Sequence, residues 1–414
     1  MQLETSVSSI GAVESWAKKL FLRMCQGLEG GILIVKEGAE SIQLGSPSED
    51  GLRVVLTIRH IKAYRRLLIG GSNGAAEAYM DGDWDTDNLT GLVQLLLRNR
   101  RNLDAMESGV AVVAASLAKA WHALNRNTRA GSRKNIAAHY DLGNDFFRLF
   151  LDSNLMYSSA LYITGEETLE EASLAKLDHI CRKLELGPND HLLEIGTGWG
   201  GMAIYAARNF GCRVTTTTIS NEQFSAASER VRSEGLEDRV TVLQKDYRDL
   251  TGCYEKVVSI EMVEAVGHQY LDGYFEKISS LLKPDGLAVI QAITIDDTRY
   301  HQALRTVDFI KRYIFPGSFI PCVSVLTSSS AQAGLRLTNL EDIGPSYAQT
   351  LYDWQQRFNT RVKKVLAQGF DDRFVRMWRF YLSYCEGGFR ERAISNVHMM
   401  LAKPGNRRSQ WIKG

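Results

Sequence analysis

Apolar and polar positions alternate along the 414-residue chain in two rhythms. From Val13 to about Asn102, amphipathic segments such as Trp16–Met24 and Ile61–Leu68 flank strand-like runs such as Gly31–Val35 and Leu52–Ile58, which predicts a small α+β module. The stretch Leu124–Lys134 is polar, basic and rich in turn formers, and reads as a linker. Past it, short apolar runs alternate with helical patterns as a parallel sheet requires. Strands fall near 191–195, 213–218, 239–244, 256–261 and 287–294, with helices at about 201–209, 221–234 and 270–283. Later pieces at Leu335–Leu340 and Ile394–Leu401 are placed to close the far edge of that sheet, and the insertion Asp296–Gln332 leaves room for a substrate cover.

The first of these strands breaks into a glycine turn, His191-Leu-Leu-Glu-Ile-Gly-Thr-Gly-Trp-Gly-Gly201, that opens a helix. Gly196 and Gly198 free the backbone to approach a ligand, and the helix beginning near Gly200 offers it unpaired N–H groups. Gly196, Gly198 and Gly201 also satisfy GxGxxG, the dinucleotide pattern. That reading needs an acidic residue at the end of the next strand to grip a ribose diol, and Arg213–Ser220 ends without one. Trp199 crowds a pyrophosphate cradle, and no GxxxxGK[ST] is present for a nucleoside triphosphate. S-adenosylmethionine is the better ligand. Loops after the strands bring Gly196–Gly201, Thr218–Gln223, Asp246–Tyr247 and Glu261–Gly267 to one crevice.

Composition narrows the class without naming it. Forty-nine basic against 48 acidic residues leave a net charge of +1, which gives no case for a nucleic-acid partner. The six cysteines lack CxxC spacing, so neither a zinc site nor a disulfide framework is expected, and no metal. No signal-peptide pattern opens the sequence, and the longest apolar run, Val110–Trp121, is too short to span a bilayer. These features predict a cytoplasmic protein whose membrane contact is peripheral.

Eight blocks in order carry a family likeness: Glu77–Trp84, His139–Asp145, Met156–Ala160, Leu193–Gly201, Thr218–Gln223, Glu261–Gly267, Tyr313–Gly317 and Cys385–Arg390. With them the chain resembles the cyclopropane-fatty-acyl-phospholipid synthases over nearly its full length. The resemblance implies an α/β fold, a seven-stranded Rossmann-like methyltransferase sheet with a smaller N-terminal α+β domain. Residues 1–102 would form a lipid-binding and dimerisation module, 103–135 a helical and basic linker, and 136–414 the catalytic domain, with the acyl-covering insertion at about 296–332. The implied activity is transfer of a methylene carbon from S-adenosylmethionine to a cis double bond in a membrane phospholipid. The implied setting is a homodimer at the inner face of the membrane. Alternatives on this scaffold are a methylene- or methyl-branched product, methylation of a small amine, and a non-enzymatic lipid binder with a degenerate donor site.

The same likeness assigns residues. After methyl transfer a carbocation must lose a proton beside an apolar acyl tunnel, where a charged side chain is costly to bury, and the family borrows bicarbonate as base. Its ligands fall on Ser159, Glu264, Gln291, the backbone at Ile293, and Tyr347. Ser159 and Gln291 stand where the best-known pattern has Cys and His, and both still hydrogen-bond. Cys385 matches the cysteine traditionally marked as active, although the chemistry requires no nucleophile. The donor site carries over to Tyr157, Ser158, Gly196, Gly198, Thr218, Gln223, Asp246 and Tyr247, with Glu194, Gly200 and Ser220. Asp246 would accept from the adenine amino group or merely cap a turn, and Ser220 and Gln223 would hold ribose hydroxyls. Arg305, Lys311 and Arg312, with Arg126, Arg129, Arg133 and Lys134, are candidates for phosphate contact or a solvated surface.

Overall fold

A computed structural model describes residues 3–100 and 142–407. The linker 103–135 and its basic residues, and the block His139-Tyr140-Asp141, lie outside the described residues. The chain divides into two units, each assembled from separated segments. The first takes residues up to 123 with 306–314 and 358–393, and the second takes 124–305, 315–357 and 394–414.

In the first unit a four-stranded sheet has the order β2-β1-β3-β4. Its strands are β1 (Gly31–Glu37), β2 (Glu40–Ser46), β3 (Arg53–Ile58) and β4 (Trp84–Thr86). The helix Asp372–Arg390, remote in sequence, packs on Leu89–Arg98. A Cβ on Gly387 would stand 2.6 Å from Val93 Cγ1, so only glycine permits the close approach. Thr90 Oγ1 donates to Glu386 Oε2 at 2.9 Å beside it, and Arg376 lays its guanidinium 3.9 Å above the Tyr79 ring. An amphipathic pattern announces that such a helix has a face to bury, but not which partner it meets.

The second unit is built on a seven-stranded sheet, order β10-β11-β9-β8-β5-β6-β7. These strands are β5 (His191–Ile195), β6 (Arg213–Thr218), β7 (Val240–Gln244), β8 (Tyr254–Ile260), β9 (Leu282–Ile295), β10 (Arg336–Asp342) and β11 (Ile394–Ala402). Neighbours from β7 to β9 are parallel, while β11 runs antiparallel to both β9 and β10. Both faces are covered, and this explains the continuous apolar runs. Leu193 and Val257 enter one core cluster, and their chain neighbours Leu192 and Val258 enter the other. The late pieces do close the sheet edge.

The sequence order reverses between β5 and β8, the switch point at which α/β sheets open a crevice beyond their carboxyl ends. Ile195 therefore runs into the glycine turn on one side of that crevice, and Ile260 into Glu261 on the other. The insertion 296–332 is shared between the two units. Residues 306–314 join the first unit, while Phe319, Cys322 and Leu326 enter the sheet's own core with Tyr274 and Ile278.

Candidate active site

The glycine turn takes the shape its sequence requires. Gly196, Gly198 and Gly200 all have positive φ, at 102°, 51° and 84°, a region closed to most L-residues. The backbone N–H groups of Gly196 and Thr197 both donate to Thr217 O, tying the turn to β6. Arg230 braces it from behind by donating to Trp199 O at 2.8 Å. A Cβ on Gly198 would meet no atom within 4 Å, so this side of the turn is open space against the backbone.

The polar candidates around the turn already hold one another. Ser220 caps the helix Asn221–Ser233 by accepting from Gln223 N, and Thr218 Oγ1 donates to Gln223 Oε1 at 2.8 Å. Glu194 accepts from Thr216 Oγ1 at 2.6 Å, and burial pushes its pKa up to about 8. Asp246 does cap the following turn, accepting from Arg248 N, and also pairs with the Arg248 guanidinium at 2.6 Å. Tyr247 stands edge-on to Tyr274. Ser158 accepts from Lys176 Nζ at 2.8 Å; that ammonium is wholly buried, and desolvation lowers its pKa to about 8.

Aromatic rings run from the turn to a second polar centre. Trp199 packs on Phe147 with centroids 5.0 Å apart, Phe147 on Tyr157 at 5.1 Å, Tyr157 on Trp354 at 5.4 Å, and Trp354 on Tyr347 at 6.2 Å. The Tyr347 hydroxyl then donates to Glu261 Oε2 at 2.7 Å. Tyr157 is thus one link in a wall of packed aromatic rings, a kind of side chain whose faces attract cations.

At the end of that wall stand two carboxylates. Glu261 Oε1 accepts from Ser159 N at 3.0 Å, Gln291 Nε2 at 2.8 Å and Asn396 Nδ2 at 2.6 Å. Its backbone sits at φ 47°, left-handed without being glycine, which costs on the order of 1–3 kcal/mol and points to a functional constraint. Glu264 Oε1 accepts from Ile293 N at 2.5 Å. Its Oε2 is buried with no hydrogen-bond partner. Desolvation, and then the neighbouring Glu261, push the Glu264 pKa up to about 8. The Glu261 pKa is also raised, again chiefly by burial. Glu264 can thus hold or release a proton near neutral pH.

A family model described as mycolic acid cyclopropane synthetase matches residues 127–399. The chain is 36% identical over 341 residues to a cyclopropane-fatty-acyl-phospholipid synthase of Escherichia coli, covering 82% of this chain and 85% of that one. It is 35% identical over 350 residues to a tuberculostearic acid methyltransferase of Mycobacterium tuberculosis, covering 82% and 81%. The chain belongs to the mycolic acid cyclopropane synthetase family. A solved mycolic acid cyclopropane synthase in complex with SAH and CTAB superposes with a TM-score of 0.62 at 28% identity, covering 66% of this chain and 98% of that one. By family and fold this is an S-adenosylmethionine-dependent methyltransferase.

Of the catalytic candidates, Ser159, Gln291 and Tyr347 converge on Glu261, and Ile293 on Glu264. The Ser159 hydroxyl itself donates to Ala160 O. Cys385 lies in the first unit, on Asp372–Arg390. Burial drives its thiol pKa far up, the reverse of an activated nucleophile. Nor is Lys311 available to a phosphate, since it is buried and donates to Thr306 O, while Arg312 pairs with Glu77. Sequence reasoning favoured Glu264 over Glu261 and overlooked Asn396 and Lys176. A usable signal existed for β11: Asn396 and His398 recur at i and i+2 in a run whose other residues, Ser395 apart, are apolar, so two polar side chains share one buried face.

Proposed function

We propose that this chain transfers a methylene carbon from S-adenosylmethionine to the cis double bond of an unsaturated phospholipid acyl chain, closing a cyclopropane ring. The observation that carries the reading is the buried, unpartnered Oε2 of Glu264 at the end of the aromatic wall. In the overall balance the carbon–sulfur bond breaks and SAH leaves with its electron pair, the methyl carbon joins both alkene carbons, and one of its protons departs. When bound, S-adenosylmethionine supplies an electrophilic methyl and bicarbonate a base for that proton. The glycine turn holds the donor, with the open side of Gly198 admitting it. The rings from Trp199 to Tyr347 exclude water and face the cationic charge. A solved relative is complexed with SAH and with CTAB, a cationic detergent with a long alkyl chain, which supports a site for a donor and an alkyl chain.

Bicarbonate fits this donor set in kind. Glu264 Oε2 can accept a hydrogen bond, and the Tyr347 hydroxyl and Gln291 amide can donate. In the described structure both donors serve Glu261, so binding an anion requires Glu261 to yield one of them. Two carboxylates beside an anion repel, and the raised pKa of Glu264 relieves this when its proton sits on Oε2, which then donates to the anion instead of accepting from it.

One relative supports a second reading, since it is named as a methyltransferase rather than as a ring-forming synthase. A methyl- or methylene-branched acyl chain would result if the same cation lost a different proton. Peripheral attachment to the membrane's inner face, a cytoplasmic location and a homodimer belong to the proposal as well. Among the described residues no helix is long and apolar enough to cross a membrane.

The test is incubation of purified protein with unsaturated phospholipid vesicles and labelled S-adenosylmethionine, followed by mass spectrometry of the released fatty acids. A labelled cyclopropane supports the first reading and a labelled branch the second. Absence of labelled lipid would sink both. Addition of bicarbonate to carbonate-depleted enzyme should raise turnover, and a flat response would remove bicarbonate from the mechanism.

A further inference from the structure

Three neighbouring strands and one helix build a second cluster of ligand-type side chains. Glu341 on β10 pairs with His398 on β11, and His398 with Gln291 on β9, so the three share one face of the sheet. The helix Leu169–Lys183 adds His179, whose Nε2 lies 2.6 Å from Glu341 Oε2. Its ring stacks on that of His398 with centroids 5.7 Å apart.

The tautomer of His398 is dictated from the active site. Gln291 Nε2 donates to Glu261, so Gln291 Oε1 faces the other way and accepts from His398 Nε2, 3.1 Å off. A neutral imidazole carries one N–H, which leaves Nδ1 as a bare lone pair. That nitrogen is fully buried, has no hydrogen-bond partner, and stands 3.8 Å from Glu341 Oε2. Two acceptors facing each other across such a gap call for a cation between them. The Lys183 ammonium reaches Glu341 Oε2 at 3.1 Å and Asn339 Oδ1 at 2.5 Å, yet leaves Nδ1 without a partner.

We propose that His179 Nε2, Glu341 Oε2 and His398 Nδ1 bind a divalent cation of the zinc class. The three atoms lie within 4.8 Å of one another. Two imidazoles and one carboxylate, with water as a fourth ligand, form a donor set this class prefers. Metal–ligand bonds of about 2.0–2.2 Å in a tetrahedron separate neighbouring ligand atoms by roughly 3.3 Å. The 2.6 Å His179–Glu341 contact must therefore open slightly and the 3.8 Å gap close. Lys183, which shares Glu341 Oε2, keeps Asn339 as its partner. The His398–Gln291 hydrogen bond becomes the outer contact that ligating histidines make. The cation then holds the Gln291 amide with Nε2 toward Glu261, a positioning role that does not depend on which lipid is the substrate.

The test uses the full chain stripped with chelator, titrated with Zn²⁺ by calorimetry and with Co²⁺ by visible absorption. One equivalent should bind, and Co²⁺ should develop the intense bands of a four-coordinate site. His179→Asn and Glu341→Gln alter partly exposed side chains, so the fold should survive, as an unchanged affinity for SAH would verify. Each should weaken Zn²⁺ binding at least tenfold. Failure of the native chain to bind Zn²⁺, or equal binding by both substituted chains, would overturn the site.

Discussion

Replacing Glu261 separates its role as an acceptor from its role as a charge. In Glu261→Ala four donors lose their acceptor at once: Ser159 N, Gln291 Nε2, Asn396 Nδ2 and Tyr347 OH. Each buried donor left unsatisfied costs about 1–3 kcal/mol. Taking the low end, because removal of the carboxylate also abolishes its own desolvation cost and opens space for water, gives a loss of about 4 kcal/mol. Glu261→Gln behaves differently. Its amide oxygen can take the Oε1 position and keep three of the bonds, while Tyr347 turns its proton away and accepts from the new NH₂. Only the strengthening due to charge is lost, about 1 kcal/mol. Urea unfolding is the assay, and the transition to compare is the one that abolishes SAH binding, since it reports the second unit. Equal losses for the two substitutions, or a loss below about 1 kcal/mol for Glu261→Ala, would refute the account of Glu261 as a four-donor hub.

The sheet was readable from sequence because its strands are buried on both faces and broken by polar turns, so each announces itself as an apolar block. The glycine turn was equally plain, as its dihedrals admit few other residues. Glu261 was not. What distinguishes it from Glu264 is a left-handed backbone and four donors, on β9, on β11, in the loop before Leu169–Lys183 and at Tyr347, all set by long-range packing. The assembly of the first unit was hidden for the same reason. Nothing local in Asp372–Arg390 reveals that Gly387 must sit against Val93, some 290 positions away. The family likeness supplied Ser159, Gln291 and Tyr347, which hydrogen-bond to Glu261, and Ile293, which hydrogen-bonds to Glu264. It also supplied Cys385, whose thiol burial keeps protonated.

Gly198→Ala puts a methyl group into open space at φ 51°, so stability should fall by only about 1 kcal/mol while calorimetry finds SAH binding weakened at least tenfold. Undiminished affinity would mean that the donor does not approach this side of the turn. Lys176→Met removes a buried cation close in charge to Glu261, Asp152 and Glu194, and should cost about 3 kcal/mol; an unchanged melting temperature at pH 7 would contradict this. Glu264→Gln should preserve SAH binding and nearly abolish turnover, and it carries a pH signature. The Glu264 carboxyl is raised from 4.5 to about 8 in the folded chain, mainly by desolvation. Between those values the folded protein keeps a proton that the unfolded chain has released, so rising pH withdraws stability across that window. The native chain should therefore lose stability from about pH 5 to pH 8, and Glu264→Gln, which cannot ionise, should lose less. Glu194, raised to about 8 by the same burial, contributes in both proteins and cancels from the difference. A difference curve that stays flat across this range would mean that Glu264 ionises as freely in the fold as in water, and the buried carboxylate at the centre of the proposed chemistry would be lost with it.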